Sequence, residues 1–343
     1  MQNLRPFAIY HEHPDWFRPL FKELDRRSLP YVKLDPRAHC YDPGETECPY
    51  SLVFNRMSPS AYLRDGIQGM FYTQSYLAHL DRLGVPVVNG SNAFAHEISK
   101  ARQLSLLKGL NLSYPKARVV NHPSRVARAA ADLRFPVVVK ANVGGSGAGI
   151  VRFDTPGDLE RAAAEKRLDF GVDHTALVQE FIPARGGHIT RVEVLDGKFL
   201  YAINVFTNGD SFNLCPADIC QRSDGVELAR SACPIDAPKT GLKVAGYTPP
   251  DEVIDACEEI MLAAGIDVGG IEYMIDDRDG RLVYYDVNAL SNFVADAVNV
   301  VGFDPVPKLV DFLEHKSRMP WWPKLPKRNR PRYRSMADWD AAI

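Results

Sequence analysis

The apolar residues of this chain change their spacing several times along its length. Four short runs, 5–10 (RPFAIY), 30–34 (PYVKL), 51–54 (SLVF) and 85–88 (VPVV), are close to continuous in apolar character, as strands buried on both faces are. Between them the spacing becomes helical. Phe17, Leu20, Phe21 and Leu24 predict a helix over Trp16–Arg27, and Leu77, Leu80 and Leu83 predict another over Ser75–Leu83. Strands alternating with helices imply a small α/β unit with a largely parallel sheet, closing near Asn89-Gly90-Ser91.

The texture then changes. Residues 92–111 read as one helix, with Ile98, Leu104, Leu106 and Leu107 inside and Lys108-Gly109 as the stop. Phe135–Lys140 and Ile150–Phe153 read as strands on either side of a glycine-rich loop, followed by a helix over Pro156–Arg167 and a strand over Ala176–Phe181. From 190 onward the chain is rich in sheet. Thr190–Leu195 and Lys198–Phe206 turn about Asp196-Gly197, a strong hairpin signal. Pro249–Ala264 reads as a helix, Gly269–Ile275 and Leu282–Val287 as a second hairpin, and Pro305–His315 as a closing helix. Residues 319–343 are basic, contain Pro and Trp, and lack periodicity, so they read as a surface extension. No internal repeat is visible.

Composition narrows the class without deciding it. A length of 343 residues is long for one hydrophobic core and suits two or three domains. Apolar residues make up 45%, charged residues 24%, and the formal charge is −2, so there is no global pull toward nucleic acid or an anionic membrane. No apolar run approaches the ~20 residues that span a bilayer, and the N-terminal segment lacks the pattern of a signal peptide; a cytoplasmic protein is expected. None of the six cysteines forms a C-x-x-C pair, which leaves reduced thiols as the expectation.

Two segments carry chemistry. The first runs Lys140-Ala141-Asn142-Val143-Gly144-Gly145-Ser146-Gly147-Ala148-Gly149. Successive glycines let backbone N–H groups turn toward one anion, and the preceding lysine adds charge, which is the chemistry of a phosphate cradle. The loop lacks the Gly-Lys-Ser/Thr ending of a P-loop, and a strand follows it rather than the helix of a dinucleotide fingerprint. A strand on each side makes it a flap, and a plain flexible turn is the alternative.

The second segment runs from Gly269 to Asn288. Gly280 suits the left-handed position of a three-residue loop, Arg278 to Gly280, with Asp277 paired to Arg281. Counting outward places Glu272 opposite Asp286, with Asn288 two residues on and on the same face. Facing carboxylates repel, so their place inside apolar strands makes sense if a cation sits between them. Hard oxygen ligands of this kind suit magnesium. A solvent-facing sheet surface fits Asp276, Asp277 and Asp279 but not Glu272 or Asp286. A general acid–base pair gives no reason for the asparagine.

A phosphate flap, a strand ending Val178-Gln179-Glu180-Phe181-Ile182, and an acid-x-Asn hairpin, in that order, resemble the ATP-grasp superfamily, and within it the RimK-type and glutathione-synthetase-like carboxylate–amine ligases. The resemblance covers roughly residues 90–315. It implies an α/β N-terminal (pre-ATP-grasp) domain, 1–91, followed by two α+β ATP-grasp subdomains, 92–185 and 186–318, with ATP between them and the extension 319–343 beyond. It also implies that Lys100 and Lys140 bind phosphates and that Gly144, Gly145, Ser146, Gly147 and Gly149 form the flap. Glu180, Phe181 and Ile182 would be the hinge at the adenine. Arg191 would stand near the transferred phosphoryl group or the substrate acid, with Glu272, Asp286 and Asn288 on magnesium and manganese as a substitute. The chemistry implied is phosphorylation of a carboxylate by ATP and attack of an amine on the acyl phosphate.

The chain departs from that family in three places. No ribose-binding acid follows the hinge in Pro183-Ala184-Arg185-Gly186-Gly187-His188, which leaves Glu193 or backbone groups for that task. The arginine strand reads His188-Ile189-Thr190-Arg191 rather than Asp-Ile-Arg. After Asn288 the chain runs Ala289-Leu290-Ser291-Asn292-Phe293 rather than serine-proline-glycine, which leaves the acceptor open. Substrate contact is expected from the irregular stretch 208–222, through Asn213 and Arg222. The expected partners are a small-molecule or peptide carboxylate and an amine, with no nucleic acid and no membrane; homo-oligomerisation stays open. A non-amine acceptor, or a nucleotide-binding scaffold without turnover, is the alternative function.

Overall fold

The structure, a computed structural model, describes residues 5–13, 15–144, 150–206 and 243–319. Of the expected site residues, Gly145, Ser146, Gly147, Gly149, Asn213 and Arg222 lie outside the described residues, as does the extension from residue 320.

The first four runs form one parallel sheet. Phe7–Tyr10 (β1), Tyr31–Leu34 (β2), Leu52–Asn55 (β3) and Val87–Val88 (β4) pair in the order β2-β1-β3-β4. Both β1 and β3 are buried along their whole length, which is why their sequences do not alternate. Arg18–Arg26 (α1) and Val306–Ser317 (α9) cover one face through Leu20, Leu24, Leu309 and Leu313. Ile67–Leu83 (α2) covers the other through Met70, Tyr76, Leu77 and Leu80. The expected start at Ser75 falls two turns short of the real one. The first turns of α2 face the sheet with Gly69 and Thr73 rather than leucines, and Thr73 sits there because its hydroxyl donates to the Gly69 carbonyl (2.6 Å) and meets the Tyr10 hydroxyl (3.0 Å).

The helix expected over 92–111 is two helices, Ser91–Glu97 (α3) and Lys100–Gly109 (α4). The break is a capping event. Ser99 is extended, and its hydroxyl accepts the Arg102 N–H at 3.3 Å, so a new helix begins at Lys100. Then come Ala117–Val120 (β5), Val126–Ala130 (α5), Val137–Ala141 (β6), Val151–Phe153 (β7), Pro156–Ala164 (α6) and Ala176–Glu180 (β8). The four strands form an antiparallel sheet in the order β5-β8-β6-β7. One face packs Val137, Val139 and Val178 against Val126 and Leu159 of α5 and α6. The other face carries Val138, Lys140, Leu177 and Gln179, since side chains alternate.

The third sheet is built from His188–Leu195 (β9), Lys198–Phe206 (β10), Val244–Tyr247 (β11), Val268–Ile275 (β12) and Leu282–Asn288 (β13), with order β11-β10-β9-β12-β13. Val192, Val194, Ile271, Tyr273 and Tyr284 pack on α4 and on Asp251–Ala264 (α7). The opposite face holds Ile189, Ile203, Met274, Val283 and Tyr285, partly covered by Ala297–Val301 (α8).

Asn89 joins the first sheet to the third. It takes a left-handed backbone (φ 54°) and is buried. Its side chain donates to the carbonyls of Val268 (2.7 Å) and Ala289 (2.6 Å) and accepts the Asp267 N–H (2.8 Å). Asn89→Ala leaves these buried groups unpaired and should cost roughly 2–4 kcal/mol. Urea denaturation checks this, and a loss below about 0.5 kcal/mol would mean that the junction does not rest on this side chain.

Candidate functional site

The hairpin of β12 and β13 brings Glu272 opposite Asp286, as expected, but by a different register. The turn is wider by one residue. The Asp276 N–H donates to Arg281 O (2.8 Å), not Asp277, and the Asp276 carboxylate holds the Arg278 guanidinium inside the loop at 2.6 Å. Pairing then runs Ile275 with Leu282 to Tyr273 with Tyr284. A bulge at Tyr285 shifts it before Glu272 meets Asp286. The bulge decides which face the acid uses. Tyr284 and Val287 lie in the same core, three residues apart, whereas strict alternation would put them on opposite faces. The skipped step turns both Tyr285 and Asp286 toward the face of Glu272.

That face gathers three acidic and three basic side chains. Arg191 donates to Glu193 (2.6 Å) and to Glu272 (2.8 Å), and all three are buried. The Tyr285 hydroxyl donates to the other Glu272 oxygen at 2.7 Å. Lys100, at the start of α4, donates to Asp286 at 2.6 Å. Burial raises the Glu272 carboxyl above its ordinary pKa, against the pull of Arg191. For Asp286, burial is the largest influence and works in the same upward direction, but Lys100, Lys140 and Arg191 together outweigh it and the group stays below its ordinary pKa. Lys140, buried on the cleft-facing side of β6, makes no ion pair among the described residues. Burial, aided by the neighbouring charge of Lys100, pushes its pKa down to about 7. An anion beside a buried lysine this poorly compensated would favour its charged form.

The two glycines that open the motif have a packing reason. A side chain at Gly269 would land on the Asn288 carbonyl oxygen, and one at Gly270 would stand 2.6 Å from Arg191 Nη2. Asn288 lies two residues beyond Asp286, and its Nδ2 is buried with no hydrogen-bond partner among the described residues. An amide can be turned over to present its oxygen. Two carboxylates and an amide oxygen therefore fit a hard divalent cation, and Lys100 with Lys140 fits phosphate. Among the described residues no three His, Cys, Asp or Glu side chains group to hold a metal; the donor set here has only two such residues.

Several contributors escaped the sequence reading. The segment after Asn288 is clamped from outside its own sheet. The Ala289 and Leu290 N–H groups donate to Glu97, the latter at 3.1 Å, and Arg56 donates to Ser291 O and, at 2.7 Å, to Asn292 Oδ1. Burial pushes the Glu97 carboxyl up to about 7. Ser291 donates to Glu193 at 2.5 Å, so the two Glu193 oxygens are held by Arg191 and Ser291. Where β8 ends, the Glu180 N–H donates to Lys116 O and the Phe181 N–H to Pro136 O, both at 2.9 Å, and the Glu180 carboxylate accepts the Arg134 N–H at 2.9 Å. Gln179, beside Val138 on the face of Lys140, has a buried Oε1 with no partner among the described residues. Its only signal in the sequence was a polar residue at a buried strand position. At Gly144 the Tyr62 hydroxyl lies 3.6 Å from where a Cβ would stand.

Residues 98–215 match the family model of the RimK-like ATP-grasp domain. A probable alpha-L-glutamate ligase of Teredinibacter turnerae is 32% identical over 164 residues, 48% of this chain and 50% of that protein. A D-alanine–D-alanine ligase of Laribacter hongkongensis is 28% identical over 170 residues, 49% and 52% of the two chains. The chain thus spans about half the length of the relatives it matches. In structure, the ATP-grasp ligase PsnB complexed with a minimal precursor superposes with a TM-score of 0.63 at 19% identity, over 92% of this chain and all of that one. D-alanyl-alanine synthetase A from Vibrio cholerae gives 0.63 at 13% identity, over 91% and 98%. These likenesses establish the ATP-grasp fold.

Lys140 yields a pH-dependent prediction. Its folded pKa lies below its unfolded value, so the unfolded chain binds the extra proton between about pH 7 and the ordinary lysine range. The destabilisation is full below pH 7 and fades as pH rises. Lys140→Met should therefore raise the thermal midpoint of the ligand-free protein at pH 6.5, with a smaller gain at pH 9.5. An equal gain at both pH values, or none, would show that Lys140 carries no buried-charge penalty.

Proposed function

We propose that the chain is an ADP-forming, magnesium-dependent ligase joining a carboxylate to an amine, a reading supported by the match of residues 98–215 to the RimK-like ATP-grasp family model and by the likeness to ATP-grasp folds. The division into 1–91, 92–185 and 186–318, with the nucleotide between the last two parts, belongs to this proposal. The observation that carries it is the meeting of an underpaired buried lysine, Lys140, with the opposed carboxylates Glu272 and Asp286. Simple nucleotide binding does not need both.

In this reading Lys100 and Lys140 offset the charge of the phosphates, and Glu272, Asp286 and Asn288 hold the metal. Magnesium, when bound, supplies charge neutralisation between phosphate oxygens. Arg191, fixed by Glu193 and Glu272, is assigned to the transferred phosphoryl group or the substrate carboxylate. With the Glu180 and Phe181 amides used by the fold, the Ile182 amide is the hinge donor assigned to the adenine, and Gln179 Oε1 the side-chain acceptor beside it. Manganese could replace magnesium on the same oxygen ligands. The acid and amine are assigned to the amino-acid and peptide class, supported by the names of the glutamate and D-alanine ligases and by a solved complex of PsnB with minimal precursor, Mg and ADP. Among the described residues no helix is long and apolar enough to cross a membrane.

Titration calorimetry should find ATP binding that requires magnesium, is abolished in Asp286→Ala and weakened about tenfold or more in Lys140→Ala. Equal affinity with and without magnesium would remove the metal assignment. The ligase step is checked by ADP release with a panel of amino acids, peptides and amines, followed by mass spectrometry of products. Binding without substrate-dependent ADP release across that panel would leave a nucleotide-binding module.

A further inference from the structure

Asn142 stands two residues after Lys140, where β6 runs into the glycine loop, and it is buried. Every polar group it has is engaged. Its N–H donates to Thr175 O (2.9 Å), and its carbonyl accepts the Lys100 N–H (3.2 Å). Its side-chain Oδ1 accepts the Ala101 N–H (2.9 Å) and the Ser99 hydroxyl (3.1 Å). Its Nδ2 donates to Asp173 Oδ2 at 2.6 Å. The same asparagine thus satisfies two of the N–H groups that the start of α4 would otherwise leave orphaned, and one of them belongs to Lys100.

Asp173 is itself fixed. Its other oxygen accepts the Thr175 N–H at 3.2 Å. The turn before it is pressed onto β6, for a Cβ at Gly171 (φ +67°) would stand 2.8 Å from the Ala141 Cβ. Three segments therefore meet at Asn142: the end of β6, the start of α4 and the 171–175 turn. Ser99 already caps α4 through Arg102, so the helix has its own start signal. What the charge-assisted bond to Asp173 adds is the direction of the Asn142 amide, and with it the place of the Lys100 backbone relative to Lys140.

We propose that Asn142 and Asp173 form a positioning pair that sets the spacing of the two lysines, Lys100 and Lys140, and so tunes the site toward the phosphate chain rather than toward the adenosine. This rests on the reading of the site as a triphosphate cradle. The geometry allows a polarity swap. An aspartate at 142 still accepts from Ala101 and Ser99, and an asparagine at 173 still accepts from Thr175 while donating back to 142.

The test measures ATP (with magnesium) and AMP affinity by calorimetry in the wild type, Asn142→Ala, Asn142→Asp, Asp173→Asn and the double variant Asn142→Asp/Asp173→Asn. Each single change should weaken ATP about tenfold and move AMP by less than about twofold, and the double variant should return ATP to within about threefold of wild type. Equal weakening of ATP and AMP would reduce the pair to a structural brace and overturn the proposal. So would a folded double variant that stays more than about tenfold weak. Should the single variants not fold, the double variant alone decides. A wild-type chain that binds no ATP would instead remove the cradle reading on which this rests.

Discussion

Two carboxylates facing each other inside a sheet repel, and burial makes the repulsion stronger because little water is left to screen it. Glu272 and Asp286 are in that position, and much of the surrounding architecture answers to it. Glu272 needs Arg191, so β9 must lie beside β12. Asp286 needs Lys100, so α4 must begin where its first residue can reach across to β13. Removing one partner from a buried pair typically costs about 3–5 kcal/mol. The strand order of the third sheet and the start of α4 at Lys100 are what bring these partners within reach.

The second sheet faces this cluster with its less apolar side. Its other side is a conventional core of valines and leucines under α5 and α6, and that core suffices to hold it together. The cleft side is thus free to carry a lysine that loses charge stability by being there and a glutamine with an unmatched oxygen. Local choices that work against stability, concentrated on one face of an otherwise well-packed layer, mark that face as the one shaped by function rather than by packing.

Much of this was legible in the sequence, and what was not had specific causes. Continuous apolar runs gave β1 and β3 because both faces are covered, and alternation gave β9 and β10 because each face has its own core. β5 went unseen: four residues at a sheet edge, with Val119 half exposed, carry too little pattern. The helix over 92–111 reads as unbroken because a serine within helical apolar spacing caps a new helix only where its backbone is extended, as Ser99 is in the fold. The opposition of Glu272 and Asp286 was reached by a count that erred by one at the turn and was restored by a bulge that no residue type announces. Arg56, Asn89 and Glu97 were beyond reach, since each acts on a segment some 180 to 240 positions away.

The bulge at Tyr285 has a bearing on how this hairpin tolerates change. Because the skipped step sits between the turn and the acids, the placement of Glu272 and Asp286 is pinned by β9 on one side and by the bulge on the other, not by the turn itself. The turn is exposed at Asp277 and Asp279 and bonded chiefly within itself and to Pro183 and Arg185. Extra residues inserted at Asp277–Asp279 would therefore lengthen the tip of the hairpin while the acids keep their opposition. Length at the tip and geometry at the acids are separable properties of one hairpin.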